Sequence, residues 1–283
     1  MSIVLGIDIG GSTAKAAGYR DGELLGFMEP RAEDRPEPIY SVLEGFLRKH
    51  GMPKADVSEI VLTGVGTAGA AERIRGIPAY KADEFEAIAR GGLMLSGKEE
   101  ALVVSIGTGT AFIRADRDGI AHIGGSGVGG GTLMGLSERL FGAKSFEAIT
   151  EMAKRGDLRN VDLMIEDICG MTSLPPYVTA TNFGKIKSAA ADPDFALGLI
   201  NLIFQTVGVM AVFACRGQRV KDVVVTGAMA VLPQAREVFD LLHIMHGITF
   251  TIPENAAFAG AVGAILRRQK DLGGSVPKTP AKL

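Results

Sequence analysis

The sequence predicts an α/β fold of two similar lobes, made by duplicating one strand-rich unit, with a ligand cleft between them. Three observations carry that prediction. Residues 6–27 align with residues 103–124 at a constant offset of 97, with seven of 22 positions identical, among them Gly10/Gly107, Thr13/Thr110 and Asp21-Gly22/Asp118-Gly119. Each copy reads as strand, Gly turn, strand, Asp-Gly hairpin, strand. Glycine makes up 38 of 283 residues, about 13% against an ordinary ~7%. It is clustered at Gly10-Gly11, Gly124-Gly125 and Gly129-Gly130-Gly131, which marks sharp turns or close backbone approach to a ligand. Beyond the second copy the chain turns helical and ends in alternating strands and helices, as an α/β lobe requires.

In chain order, Ser2 to Ile9 is an apolar, β-branched run that stops at Gly10-Gly11, the pattern of a buried strand entering a turn. Strands over 13–19 and 23–28 flank the Asp21-Gly22 turn. Helical spacing from Glu37 to His50 ends at Gly51 and Pro53. Val57–Gly64 is a further strand, Glu84–Leu95 a helix, and Ala101–Ile106 a strand that again runs into glycines. Helices are predicted over 132–141, 145–154, 162–169 and 195–216. A strand over 222–226, a helix through Leu242, a strand over 248–252 and a helix over 256–269 follow. The expected domains are a first lobe over 1–95, a second over 101–255, the last helix packing back on the first lobe, and a flexible polar tail over 270–283.

Thirty basic against 32 acidic residues leave a net charge of −2, which removes the electrostatic basis for binding nucleic acid. Cys169 and Cys215 stand far apart with no Cys-x-x-Cys, so neither a disulfide framework nor a zinc site is expected and a reduced cytoplasmic setting is. The first residues lack the basic segment of a signal peptide. Phe195–Cys215 is 21 residues without a charge, yet Asn201, Gln205 and Thr206 dilute it; a core or subunit-interface helix is expected rather than a membrane span.

The chemistry concentrates in the turns. In Asp8-Ile9-Gly10-Gly11-Ser12-Thr13-Ala14-Lys15, two glycines free backbone N–H groups for phosphate oxygens and Ser12 and Thr13 add hydroxyls. Asp8, at a strand end, suits Mg²⁺, and Lys15 supplies a point charge for a terminal phosphate. The second copy offers Gly107, Thr108 and Gly109, with Gly124 to Gly131 (Gly125, Gly129, Gly130 and Gly131 among them) leading into a helix whose first N–H groups face an anion. Tight packing without a ligand is the competing account of those glycines. Gly227, after the strand ending at Thr226, fits packing or a nucleobase contact equally well.

These loops, the duplication and the late strand–Gly turn resemble the superfamily of acetate kinase, sugar kinases and actin-like ATPases, whose fold is ribonuclease H-like. Within it the chain is similar to type II pantothenate kinases over nearly its whole length. The stretches that carry the likeness are Asp8–Lys15, Ile77-Pro78-Ala79 with Glu84-Phe85-Glu86-Ala87, Gly107–Thr110, Gly124–Gly131, Thr179–Gly184 and Glu254–Ala261. The resemblance implies ATP- and Mg²⁺-dependent phosphorylation of a primary hydroxyl on a small molecule of the pantothenate kind. It implies that Glu84 is the general base, although by itself Glu84 is one of several acids at a helix start. It also implies a homodimer in which Thr108, Gly109 and His122 meet the acceptor together with Thr179 and Ala180 of a second subunit, and helix 195–215 is a candidate interface element.

One departure stands out. The family has an Arg just before the second Gly-rich loop, where it binds the acceptor carboxylate; here the position holds His122, which cannot reproduce a bidentate guanidinium. That points to a changed acceptor site, or to a merely structural His. Dehydratase activators share the first loop, but in them Cys ligands lie near the second phosphate loop, which here has none. A catalytically quiet nucleotide or acyl-CoA sensor is the remaining alternative, opposed by the intact Asp8, Lys15 and Glu84.

Overall fold

The computed structural model describes residues 2–11, 13–29, 38–117, 119–168 and 174–271. Ser12, Asp118, Cys169 and the tail from 272 onward lie outside the described residues.

The first sheet contains β1 (Ile3–Ile9), β2 (Ala14–Arg20), β3 (Glu23–Met28), β4 (Val57–Thr63), β5 (Arg73–Ile74) and β6 (Ile77–Lys81), in the order β3-β2-β1-β4-β6-β5. The second contains β7 (Ala101–Ile106), β8 (Thr110–Ala115), β9 (Ile120–Ser126), β12 (Asp222–Thr226) and β13 (Thr249–Thr251), in the order β13-β12-β7-β8-β9. Read from the hairpin edge, both sheets run third, second and first strand of the repeat, then a parallel strand, then another. β1 pairs antiparallel with β2 and parallel with β4; β7 pairs antiparallel with β8 and parallel with β12. The offset-97 repeat thus matches a duplicated sheet. The Asp21-Gly22 turn has φ of +51° and +96°, the positive pair a two-residue type I′ hairpin needs.

Both faces of each central strand are covered, which explains their unbroken apolar runs. Ile3, Leu5, Ile7 and Ile9 face α1 (Pro38–Lys49) through Val42, Leu43 and Phe46. On the other face of this sheet, Ala17, Tyr19 and Leu24 meet Ala261, Val262, Ile265 and Leu266 of α8 (Ala259–Asp271). In the second sheet Leu102, Val104 and Ile106 face α6 (Asp192–Gln218) and α7 (Pro233–His246), with α3 (Gly130–Phe141) and α4 (Phe146–Ala153) completing that layer. Ala101 and Val103 face α2 (Glu84–Ser96) through Ile88 and Ala89. The order of layers is α1, first sheet, α8 against α2, second sheet, α6 with α7.

Glycine permits the central contact. A Cβ on Gly263 would lie 1.6 Å from the Ala87 carbonyl oxygen, one on Gly91 1.8 Å from that of Ala259, and one on Gly6 1.9 Å from that of Ala261. Backbone therefore touches backbone across β1, α8 and α2.

One reading needs correction, and two strand pairs lay outside the expected pattern. The helix expected over 162–169 is a two-residue strand, β10 (Leu163–Met164), followed by a single turn, α5 (Ile165–Ile168). β10 pairs with β11 (Thr179–Thr181), a strand the pattern did not reveal, because Asp162 is drawn into contacts with residues 179–201. The β5–β6 hairpin was also unforeseen, although Arg75 and Gly76 carry the positive φ of its turn. α6 is long and apolar enough to cross a membrane, but 61% of its apolar window is buried, and Leu199, Ile203, Phe204, Val207 and Val212 sit in the second-lobe core.

Gly263→Ala should cost about 3 kcal/mol or more through overpacking, lowering Tm on the order of 10 °C. Gly135→Ala, in α3 with open space around it, should instead stabilise by about 1 kcal/mol. Calorimetry on both variants checks this, and a neutral Gly263→Ala would contradict the backbone contact.

Candidate active site

β1 delivers Asp8 to the end of the first sheet, paired across β2 with Lys15 and across β4 with Thr63. Its carboxylate is crowded from two sides. A Cβ on Gly64 would lie 2.6 Å from Oδ1 and one on Gly260 2.3 Å from Oδ2. Burial raises the Asp8 pKa from the ordinary 3.8 to about 6; the Lys15 charge opposes the rise and the Glu84 charge adds to it. A carboxylate so incompletely compensated suits a cation, and a hard divalent ion prefers such an oxygen donor. Lys15 is itself buried, donates to the Thr13 hydroxyl at 2.5 Å and stands 3.4 Å from Glu29.

Glu84 is the first residue of α2. Asp83 caps that helix, its carboxylate accepting from the Glu86 N–H at 2.9 Å. Burial, then the adjacent Asp83 charge, pushes Glu84 above the usual carboxylate range, the direction that improves a general base near neutrality. The next residue, Phe85, stacks on His122 of β9 with ring centroids 4.1 Å apart and planes 8° from parallel. The stack ties the first turn of α2 to the edge of the second sheet, and the Glu84 charge on that turn acts on Asp8.

The second loop differs from its sequence-based reading. The N–H groups of Gly130 and Gly131 donate to the carbonyls of Gly107 and Thr108, each at 2.8 Å, and the Gly129 N–H is directed at the Thr132 hydroxyl at 3.3 Å. These donors are engaged within the protein rather than open to an anion. The three glycines serve close packing: a Cβ on any of them would come within 3.1 Å of loop 107–109. Gly125 lies inside β9 opposite Ala111, where a Cβ would reach 2.9 Å from the Thr110 carbonyl. The two loops meet at their tips, since a Cβ on Gly11 would lie 3.1 Å from the Thr108 hydroxyl. Gly10 closes the first loop with an N–H to the Thr13 carbonyl at 2.9 Å, and Gly107 closes the second with one to the Gly109 carbonyl at 2.9 Å.

Gly227, at φ +92°, would drive a Cβ to 2.5 Å from the Ile106 carbonyl; Gly64, at φ +91°, would do the same to Ile9. The duplication therefore extends to a Thr-Gly turn at the end of β4 and of β12. Comparing Thr63-Gly64 with Thr226-Gly227 carries that signal in the sequence, but the crowding of Asp8 by Gly64 and Gly260 needs the fold. Thr179 and Ala180 lie apart on the β10–β11 ribbon. Among the described residues the Thr179 side chain is hydrogen-bonded to Asp162 and to Asn201 of α6.

Comparison with known proteins follows the same line. A Clostridium difficile activator of 2-hydroxyisocaproyl-CoA dehydratase with bound ADPNP has a similar fold (TM-score 0.67, 15% identity, 96% of each chain covered). The ROK hexokinase of Thermus thermophilus also aligns (TM-score 0.52, 15% identity, 93% of this chain and 96% of that one). These likenesses place the fold among the two-lobed actin-like and sugar-kinase structures. A type II pantothenate kinase of Staphylococcus haemolyticus is 31% identical over 219 residues, covering 73% of this chain and 82% of the relative. That of Oceanobacillus iheyensis is 29% identical over 273 residues, covering 93% and 98%. With the Fumble family model matching residues 95–266, the chain belongs to the Fumble, or type II pantothenate kinase, family.

Proposed function

We propose that this chain is a soluble, cytoplasmic, ATP-dependent kinase that phosphorylates a primary hydroxyl of pantothenate or a pantothenate-like molecule. The observation that carries the reading is the gathering of a half-buried, under-compensated Asp8, a buried Lys15 and a Glu84 of raised pKa within reach of one another's charges. Asp8 fits Mg²⁺, which when bound neutralises charge on the phosphates. Gly10, Gly11, Thr13 and Lys15 from one lobe, with Gly107 and Thr108 from the other, frame the ATP phosphates, and Gly227 flanks the nucleoside. Ser12 belongs to the same set by sequence.

Glu84 accepts the proton of the acceptor hydroxyl as that oxygen bonds the γ-phosphorus and the bond to the departing ADP oxygen breaks. Lys15 holds the transferring group in line, so positioning and charge neutralisation supply most of the rate. The acceptor lies beside Thr108, Gly109 and His122, and a second copy of the chain brings the segment that carries Thr179 and Ala180 up to it in a homodimer.

A second reading is a different acceptor. The Phe85–His122 stack favours it, because a ring committed to a neighbouring ring replaces the guanidinium the family uses on the acceptor carboxylate. Coupled ADP-release assays with pantothenate, pantetheine, pantoate and unrelated polyols test both readings. Turnover should be stimulated by the pantothenate-like alcohols and fall about 10²–10⁴-fold in Glu84→Gln with ATP binding kept. Equal turnover in Glu84→Gln would remove the general-base assignment. A gain of pantothenate turnover in His122→Arg would identify the native acceptor as another molecule.

Asp8 also makes a stability prediction. Its folded-state pKa of about 6 exceeds the unfolded 3.8, so the folded state holds more protons between those values and stability falls as pH rises through that window. Above it the charge costs up to about 3 kcal/mol. Asp8→Asn should therefore raise Tm by several degrees at pH 8, with the difference vanishing below about pH 4, while Mg-ATP-dependent turnover is lost. An unchanged or lower Tm at pH 8 would contradict the burial account.

A further inference from the structure

Away from the cleft, Asp162 is fully buried between β10, β11 and α6 without a cationic partner among the described residues. Donors satisfy it instead. Its Oδ2 accepts from the Thr179 hydroxyl at 3.0 Å and the Asn201 amide at 2.9 Å, with the Asn182 amide at 3.5 Å. Its Oδ1 accepts from the Phe183 N–H at 2.8 Å. Asn201, 4% exposed on α6, also donates to the Thr179 hydroxyl at 3.1 Å. Phe183 has φ +54°, a conformation that is costly for a bulky residue and persists only where its surroundings enforce it. The enforcing contacts are visible: its N–H on Asp162 and its ring against Gly198, where a Cβ would come within 2.9 Å.

The Thr179 hydroxyl is thus spent inward, its proton on Asp162 and a lone pair on Asn201. What the ribbon exposes is Ala180 and Thr181. We propose that Asp162 is a positioning residue for the acceptor: with Asn201 as its support on α6, it fixes the 179–183 segment so that Ala180 and Thr181 are presented to the acceptor, and Thr179 acts as an anchor rather than a contact. This rests on the kinase reading above, in which that segment completes the acceptor site. A buried carboxylate with several donors is a rigid clamp, because removing its acceptor capacity leaves buried N–H and O–H groups unpaired.

Asp162→Asn replaces one accepting oxygen with a donor and leaves the volume unchanged. Steady-state kinetics should show KM for the acceptor raised about tenfold or more, with kcat and KM for ATP within about twofold of the parent. Backbone hydrogen exchange across 179–183 should quicken. The double swap Asp162→Asn with Asn201→Asp restores a carboxylate–amide pair and should recover most of the loss. If Asp162→Asn fails to fold, Thr179→Val serves in its place, with a rise in acceptor KM of about threefold or more. A folded Asp162→Asn enzyme with unchanged acceptor KM, or one in which KM for ATP rises in parallel, overturns the proposal. Failure of the kinase reading looks different: the unsubstituted chain would then show no acceptor-stimulated ADP release, while the exchange measurement still decides whether Asp162 holds the ribbon.

Discussion

The crowding of one half-buried carboxylate constrains much of this molecule. Asp8 sits at the end of β1 with Gly64 and Gly260 against its two oxygens, so three separate segments must converge for the site to exist. Gly260 is in place because α8 lies on β1 with backbone in contact, which Gly6 permits. α8 in turn is locked to α2 through Gly91 and Gly263, and α2 carries Glu84 on its first turn. The donor-side carboxylate and the expected base are therefore linked through two helices whose separation is set by glycines. Any side chain added at those positions would move the chemistry as well as the packing.

The donor side of the fold was the more legible part of the sequence. The offset of 97 revealed the hairpin units, and the apolar runs of β1 and β7 show directly as strands covered on both faces. Gly10, Gly11 and Gly107 lie in tight turns whose tips meet. The sequence could not show how Gly129, Gly130 and Gly131 are used: open anion donors and close packing both call for glycine, and only the hydrogen bonds to Gly107 and Thr108 distinguish them. It also missed Asp162, because a helical period over 162–169 conceals one residue whose contacts lie between 17 and 39 positions away. Local pattern reports local periodicity; a buried polar hub is a tertiary feature.

The parts proposed for the acceptor are built differently from those proposed for the donor. The proposed donor groups sit on duplicated, strand-end turns whose geometry the sheet dictates. The proposed acceptor groups sit on the Phe85–His122 stack and on a ribbon outside both sheets, held by a polar cluster. A dehydratase activator and a hexokinase share this architecture with the chain at 15% identity, so the fold by itself does not fix the acceptor.

The most direct test of the central claim is calorimetric titration of Mg-ATP into the enzyme at several pH values, in buffers of differing ionisation enthalpy, beside Asp8→Asn. If Asp8 is the desolvated carboxylate that takes the cation, binding near pH 6 should release about half a proton per site. That release should fade by pH 8 and be absent from the variant. Proton release that is nil at pH 6, or identical in Asp8→Asn, would contradict it.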